Sequence, residues 1–302
     1  MSFRKEHHQN VKVTSDFEIF GLDFTKYSTD QLKKMWRETL QKGMHGICFS
    51  MYEEGQEPGD IVTGEQVEKR IEILKPYTKW IRSFSCIEGN EYIPKVAKVH
   101  GLQTMVGAWL GSDLEKNEEE IEALIELGHK GCVDIAAVGN EVLYRDELSI
   151  TQLISYINRV KVALPHVQVG YVDAYYKFSK YPELVKACDV ILSNCYPFWE
   201  GCPIDYSIHH MQKMYNQARS VSQGKKVIIT ETGWPNEGGS EGAADASDEN
   251  AMKYFINSQA WSANDEIDIF YFSSFDESWK VGAEGDVGAY WGIWDKHENL
   301  KF

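Results

Sequence analysis

The chain has 302 residues, 43% of them hydrophobic, and 31 Lys and Arg stand against 46 Asp and Glu for a formal charge of −15. That balance argues against nucleic acid or an anionic membrane as partner, since both need a basic surface, and it suits an uncharged substrate. Length and composition fit one large globular domain or two small ones.

The opening MSFRKEHHQNVKV has no apolar core of the length a secretory leader needs, and no later stretch approaches 18 uninterrupted apolar residues. The expectation is a cytoplasmic chain with no membrane partner, or a periplasmic or secreted one if a leader has been trimmed away. FEIFGLDF (17–24) reads as a short strand or coil. STDQLKKMWRETLQKG (28–43) follows as a helix with Leu32, Met35, Trp36 and Leu40 on one face.

From there one rhythm repeats. Short β-rich runs, apolar on both faces, alternate with amphipathic helical stretches. The runs are GICFSMY (46–52), WIRSFSC (80–86), QTMVGAWL (103–110), VDIAAVGNEV (133–142), VQVGYVDAYY (167–176), DVILSNCYPF (189–198), KVIITETGW (226–234) and DIFYFSSFDESW (268–279). Among the helical stretches, EKNEEEIEALIELGHKG carries Ile121, Leu124 and Ile125 as its stripe, with Gly128 as its stop. SITQLISYINRVKVALP has Ser149 or Thr151 to cap it and Pro165 to end it.

Two-faced apolar strands alternating with helices indicate a parallel sheet covered on both sides. Eight of them predict an α/β fold, a closed (β/α)8 TIM-type barrel. No glycine-rich phosphate loop follows any strand, which weakens a nucleotide-binding reading. The tail VGAEGDVGAYWGIWDKHENLKF lacks a helical period, so the 28–43 helix is expected to replace a missing eighth outer helix. The domain reading is one catalytic unit over 1–302, with residues 1–44 as extension and helix and 45–302 as barrel.

The cysteines, at 48, 86, 132, 188, 195 and 202, stand singly in or beside apolar runs and read as free and mostly buried. They lack the Cys-x2-Cys pairing of zinc sites, so no metal and no cofactor is expected. His7-His8 and His209-His210 read as solvated surface.

In such a barrel the site lies at the C-terminal ends of the strands. Those ends offer Ser50 and Tyr52, Arg82 and Ser85, Trp109, Asn140-Glu141, Asp173 with Tyr175-Tyr176, Asn194 and Tyr196, Glu231 with Trp234, and Asp276-Glu277 with Trp279. Glu141 ends a strand of small apolar residues, where an unpaired charge is costly. Glu231 lies opposite it around the ring. Two carboxylates across an aromatic-lined cleft suit glycosidic bond cleavage, one protonated to donate and one ionised to attack or direct water. The competing reading makes each a salt-bridged rim residue.

GNEVLYR, NCYPFWEG, ITETGWPNEGG, FDESWK and GAYWGIWD, in that order, resemble the motifs of glycoside hydrolase family 17, the β-1,3-glucanases and β-1,3-glucanosyltransferases, over roughly residues 45–302. CFSMYEEGQEPG is more similar to the bacterial and fungal branch, with Ser-Met-Tyr where the family's usual pattern is Ser-Pro-Tyr. The resemblance implies a retaining enzyme acting on β-1,3-glucan through a covalent glycosyl-enzyme, with Glu141 as acid/base, Glu231 as nucleophile and their carboxyl groups roughly 5 Å apart. Asn140 would hold the sugar 2-hydroxyl, Tyr196 would donate to the nucleophile, and Glu277, Lys280 and Glu284 match a charged cluster. Substrate binding falls to Tyr52, Arg82, Tyr176, Trp199, Trp234 and Trp279. Arg82 would orient a carboxylate from inside the rim or pack the barrel, and the last four are sugar platforms, at least one of them core. Trp291 and Trp294 are assigned to packing the tail.

The expected partner is a β-glucan oligo- or polysaccharide, and the chain is read as a monomer. Hydrolysis, transfer or both remain open, as does endo against exo action. A glucanosyltransferase with little hydrolysis, an acid/base barrel enzyme for a non-sugar substrate, and a non-catalytic glucan-binding barrel are the other readings.

Overall fold

The computed structural model describes residues 21–302. Eight parallel strands close a ring: β1 Met44–Cys48, β2 Thr78–Arg82, β3 Gln103–Ala108, β4 Ile135–Asn140, β5 Gln168–Ala174, β6 Ile191–Asn194, β7 Val227–Thr232 and β8 Ile269–Tyr271. Around the ring the order is β1-β8-β7-β6-β5-β4-β3-β2, with β1 paired to both β2 and β8. The predicted (β/α)8 barrel is the fold. β4 and β7 are buried at every residue, which is why their sequences show no polar alternation.

The outer ring contains α1 Thr29–Gln41, α2 Gly64–Leu74, α3 Tyr92–Val99, α4 Leu114–His129, α5 Ile150–Ala163, the short α6 Lys177–Lys180 and α7 Pro182–Ala187, α8 Ser207–Val221 and α9 Asp248–Asp265. After β8 come only short turns of helix, of which α10 Val281–Glu284 is the one α-helical turn. α1 takes part in the ring as predicted. Ser28 and Gln31 form a reciprocal capping box at its start. Leu32, Trp36 and Leu40 are buried and Met35 is half-buried, with Trp36 5.4 Å from Phe255 of α9 and 5.2 Å from Phe302. Each such buried side chain contributes about 1.5–3 kcal/mol of transfer free energy.

α5 matches its sequence reading: Ser149 caps it with Gln152, and it stops before Pro165. α4 corrects one. Gly128 lies inside the helix, where a Cβ would come within 2.3 Å of Leu164, so it serves close packing against the end of α5. The stop is Gly131, whose φ of +72° suits glycine just beyond a helix end. Of FEIFGLDF, residues 17–20 and the predicted strand or coil there lie outside the described residues, as does His7-His8. The described end enters a 3-10 turn, Phe24–Lys26, with Phe24 buried. All six cysteines are free; five are buried and Cys132 is half-buried. No helix among the described residues is long and apolar enough to cross a membrane.

Candidate active site

Glu231 sits near the end of β7, and its Cα partner on β6 is Asn194. Both carboxyl oxygens are occupied. Arg82 Nη1 donates to Oε1 at 2.7 Å, and Tyr196 Oη donates to Oε2 at 2.8 Å. A guanidinium and a phenol on one carboxyl fix its direction. Arg82 itself comes up from β2. It donates from Nη2 to Asn140 Oδ1 at 2.8 Å and from Nη1 to the Thr230 carbonyl at 3.2 Å, and its guanidinium lies over the Phe84 ring at 4.3 Å. Arg82 is buried beneath the cleft, which corrects its assignment to substrate binding. It orients the carboxylate and one amide at once.

The end of β4 is built differently. Its register with β5 slips between Ala137 and Asn140, and Gly139 and Glu141 both have positive φ, +86° and +53°. A glutamate rarely adopts the left-handed region, and such strain clusters at functional sites. The turn is held by Glu141 N donating to the Val172 carbonyl at 2.8 Å and by Arg145, which bonds the Asn140 and Leu110 carbonyls. Glu141 Oε1 accepts from Asn194 Nδ2 at 2.8 Å, while Thr230 Oγ1 donates to Asn194 Oδ1 at 2.8 Å and so sets the orientation of that amide. Burial first, then the charges of Glu231 and Asp173, push the Glu141 carboxyl up to about 8, against the opposing pull of Asn194 and Arg145. A half-buried carboxyl that keeps its proton near neutrality thus faces one held by a cation.

Asn140 is buried, with its amide oxygen held by Arg82, which leaves the amide nitrogen as its free-facing donor. Lys280 is buried between Glu277, at 2.7 Å, and the Phe272 ring, at 4.3 Å. Burial works against its charge, but Glu277 and Glu284 outweigh it and Lys280 ends above the usual lysine value. Glu284 is pushed up to about 7, first by burial, with Lys280 opposing and Glu231 adding. Lys280 therefore balances the carboxylates at this end of the barrel. Glu277 also accepts from Tyr52 N at 3.3 Å, and the Tyr52 ring stands edge-on to Trp279 at 5.9 Å.

Beyond Glu141 the cleft continues along Tyr144, Tyr175, Tyr176, Trp199 and Glu200. Tyr176 and Trp199 are where the sequence placed them. Trp234 is the exception, and the correction is clear. It is buried between Phe198, at 5.2 Å, and Tyr254, at 5.4 Å, with its indole N–H donating to the Asp245 carbonyl at 2.9 Å. No face of it is open to a sugar. Trp294 packs between Tyr77 and Phe275 in the tail, as predicted. Trp291 lies deeper than a tail residue, 5.6 Å from Tyr196 and 5.4 Å from Trp199, and forms the floor under the aromatic wall.

Glu200 was not anticipated. It is buried, accepting from Tyr175 Oη at 3.0 Å and pairing with His210 Nε2 at 2.6 Å. This overturns the solvated reading of His209-His210: both are half-buried, and His209 packs on Tyr206 at 4.9 Å. Its only signal in the sequence was adjacency to Trp199. Asp276 was named as a strand-end carboxylate, but it accepts from Lys301 at 2.7 Å and Gly292 N at 2.8 Å, which ties the C-terminal tail to the barrel.

The polar loop 236–250 folds as a small antiparallel hairpin, Ser240–Glu241 with Ala244–Asp245. Ala243 N donates to the Gly201 carbonyl at 3.1 Å. Gly201, at φ +69°, lets the hairpin approach so closely that a Cβ there would stand 3.2 Å from the Glu241 carbonyl and 3.3 Å from Gly242 Cα. The hairpin thus braces the turn that carries Trp199 and Glu200.

Burial pushes the Cys48, Cys188, Cys195 and Cys202 thiols up to about 12, so they are poor metal ligands or nucleophiles. Among the described residues the single group with metal-ligand geometry is Glu68, Glu72 and His100, on α2 and just after α3. Lys75 already sits in it, 2.7 Å from Glu72 and 3.4 Å from His100 Nδ1.

The sequence profile of the BtgE/BtgC glycoside hydrolase domain matches residues 46–292. Similar proteins include a glucan 1,3-beta-glucosidase of Arthroderma benhamiae, 28% identical and spanning 78% of this chain and 82% of that one. Another, from Schizosaccharomyces pombe, is 30% identical over 76% of this chain and 78% of its own. The solved structure of a glycoside hydrolase family 17 beta-1,3-glucanosyltransferase from Rhizomucor miehei is 31% identical, with a TM-score of 0.78, and covers 86% of this chain and 96% of that one. A beta-glucuronidase from Bacteroides uniformis, 14% identical with a TM-score of 0.66 over 86% of this chain and 34% of that one, shares the fold alone.

Proposed function

The chain belongs to the BtgE/BtgC glycoside hydrolase family, within glycoside hydrolase family 17, and we propose that it is a retaining β-1,3-glucan enzyme that both hydrolyses and transfers. The observation that carries this reading is the unlike pair of carboxyls: Glu231 held by Arg82 and Tyr196, and Glu141 raised and set in a strained turn.

In the first step a Glu231 oxygen attacks the anomeric carbon while Glu141 gives its proton to the leaving glycosidic oxygen. The C–O bond to the leaving sugar breaks and a glycosyl ester forms on Glu231. Forming the ester removes the negative charge beside Glu141, so the carboxylate left behind after donation is next to a neutral group. It then takes a proton from water or from an acceptor hydroxyl, whose oxygen displaces Glu231 and restores both carboxyls. Two inversions return the β configuration. Asn140 Nδ2, with its amide turned by Arg82, binds the sugar 2-hydroxyl, a contact that strengthens as positive charge develops at C1.

The acceptor lies along the wall beyond Glu141. Tyr176 and Trp199 supply ring faces, and Glu200, with His210, holds the Tyr175 hydroxyl in place behind them. The Tyr176 hydroxyl and the Trp279 indole N–H are buried without a protein partner among the described residues, and both suit hydroxyl groups of a bound glucan. Tyr52 and Trp279 stand on the opposite side of the reacting centre, for the donor sugars. A wall shaped for a second sugar favours transfer over water at the covalent intermediate.

A time course with β-1,3-linked gluco-oligosaccharides tests this, with product lengths read by mass spectrometry and linkages by NMR. Products both shorter and longer than the substrate are expected, all with β linkages. Shorter products alone would leave a hydrolase, and products of inverted configuration would overturn the double displacement.

A further inference from the structure

We propose that Asp173 is a positioning residue for the acid/base, acting through Tyr171 on the turn that carries Glu141. The inference rests on Glu141 being the acid/base.

Asp173 lies on β5 and is fully buried, so it touches no substrate. Its Oδ2 accepts from the Tyr171 hydroxyl, and its Oδ1 accepts from Ala174 N at 2.7 Å. With its proton committed to Asp173, the Tyr171 oxygen presents a lone pair to Leu143 N, which donates to it at 2.9 Å. Leu143 is two residues beyond Glu141. The other side of the same peptide group region is held by Lys177, buried on α6, whose Nζ donates to the Leu143 carbonyl at 3.1 Å. Residue 143 is thus gripped at both its N–H and its carbonyl by β5 and α6 side chains, while Glu141 N is held by Val172 of β5. A glutamate at φ +53° keeps that conformation only when its surroundings over-determine it, and this chain of bonds supplies the constraint.

The position also has an electrostatic consequence. The groups that bear on Glu141 are Glu231 from β7, Asp173 and the phenol of Tyr171 from β5, Lys177 from α6 and Arg145 from its own turn, with the neutral Asn194 from β6. Those that bear on Asp173 are Tyr171, Lys177 and Arg145, and the phenol of Tyr176 lies close to both carboxyls. Asp173 is itself raised to about 6, chiefly by burial, so it is ionised wherever Glu141 begins to lose its proton. Its charge then delays that loss.

The test compares wild type, Asp173→Asn, Tyr171→Phe and Glu141→Gln. kcat/KM is measured against pH on a β-1,3-gluco-oligosaccharide and on an aryl β-laminaribioside with a nitrophenolate leaving group, which needs no proton. Removing the Asp173 charge should shift the alkaline limb for the oligosaccharide to lower pH by about one unit, the range expected for a like charge nearby. Tyr171→Phe should lower oligosaccharide kcat/KM by about tenfold and leave the aryl substrate within a few-fold, as expected when general-acid geometry alone is loosened. If Asp173→Asn does not fold, Tyr171→Phe decides. Equal loss on both substrates with an unmoved limb and a lowered Tm would reduce Asp173 to a structural residue and overturn the proposal. If Glu141→Gln itself loses both substrates equally, the acid/base reading fails first, and it takes the proposal with it.

Discussion

At the end of β7, where the register also slips against both neighbouring strands, Glu231 has both carboxyl oxygens filled by Arg82 and Tyr196 on a backbone outside the left-handed region. At the end of β4, Glu141 has one neutral donor on its carboxyl among the described residues, two carboxylates for neighbours and a left-handed backbone. The difference is instructive. In the proposed roles, the nucleophile is specified by donors, and the acid by burial, like charge and the shape of a turn. One residue type would then perform two tasks because two strand ends surround it differently.

Removing Glu231 should have the largest effect. Glu231→Ala should cut turnover by about 10⁴-fold or more with the fold intact, and azide should partly restore cleavage of an activated β-glucoside, giving the α-azide. A β-azide would mean that the two roles are exchanged. Glu141→Gln should cost about 10²–10⁴-fold on oligosaccharides and little on a nitrophenyl glycoside; the same deficit on both would remove Glu141 from acid duty.

Arg82→Lys sharpens the comparison from below. A lysine cannot hold Glu231 and Asn140 in one fork, and a misplacement of this size costs on the order of 10²-fold in kcat/KM. An unaffected rate would show that Tyr196 alone suffices.

The pH profile addresses Glu141 directly. Its folded-state value lies above that of a solvated carboxylate, so its protonated form is the active one and oligosaccharide kcat/KM should fall as pH rises through about 8. The same shift means the folded protein holds a proton that the unfolded chain has released, from the usual carboxylate range up to that value. Stability should therefore decline with rising pH across that window, and Glu141→Gln should make the decline shallower, above all between about 7 and 8, while the raised carboxyls of Asp173 and Glu284 keep the rest of it. Thermal melts from pH 5 to 9 check it; a flat wild-type curve would contradict the shift. The smallest catalytic effect belongs to Trp234→Phe, which loses the bond to Asp245 and should lower stability by about 1 kcal/mol with kcat/KM within a few-fold. A large rise in KM would return Trp234 to the sugar platforms.

The barrel was legible because each strand is apolar on both faces, and the glutamates because strand ends point to one mouth. Arg82 was legible as a possible orienter, but only the ring geometry shows that its fork spans two strands. Trp199 and Trp234 were indistinguishable in sequence, both being aromatics in loops beside Gly, Pro or Glu. Their difference is made by Phe198 and Tyr254, the latter contributed by α9 far along the chain. Glu200 with His210 was hidden for the same reason, since the histidine comes from a helix ten residues on and its neighbours are set by how α8 packs. Gly128 and Gly131 show the local version: two glycines near one helix end, one needed for closeness and one for its backbone angle.

The contact of Gly201 with Gly242 has a consequence for how such an enzyme can change. The wall proposed to receive the second sugar leans on a surface hairpin that holds none of the proposed reacting groups. Selection, or a designer, can therefore lengthen or stiffen that hairpin and alter acceptor preference while every residue of the reacting centre stays as it is.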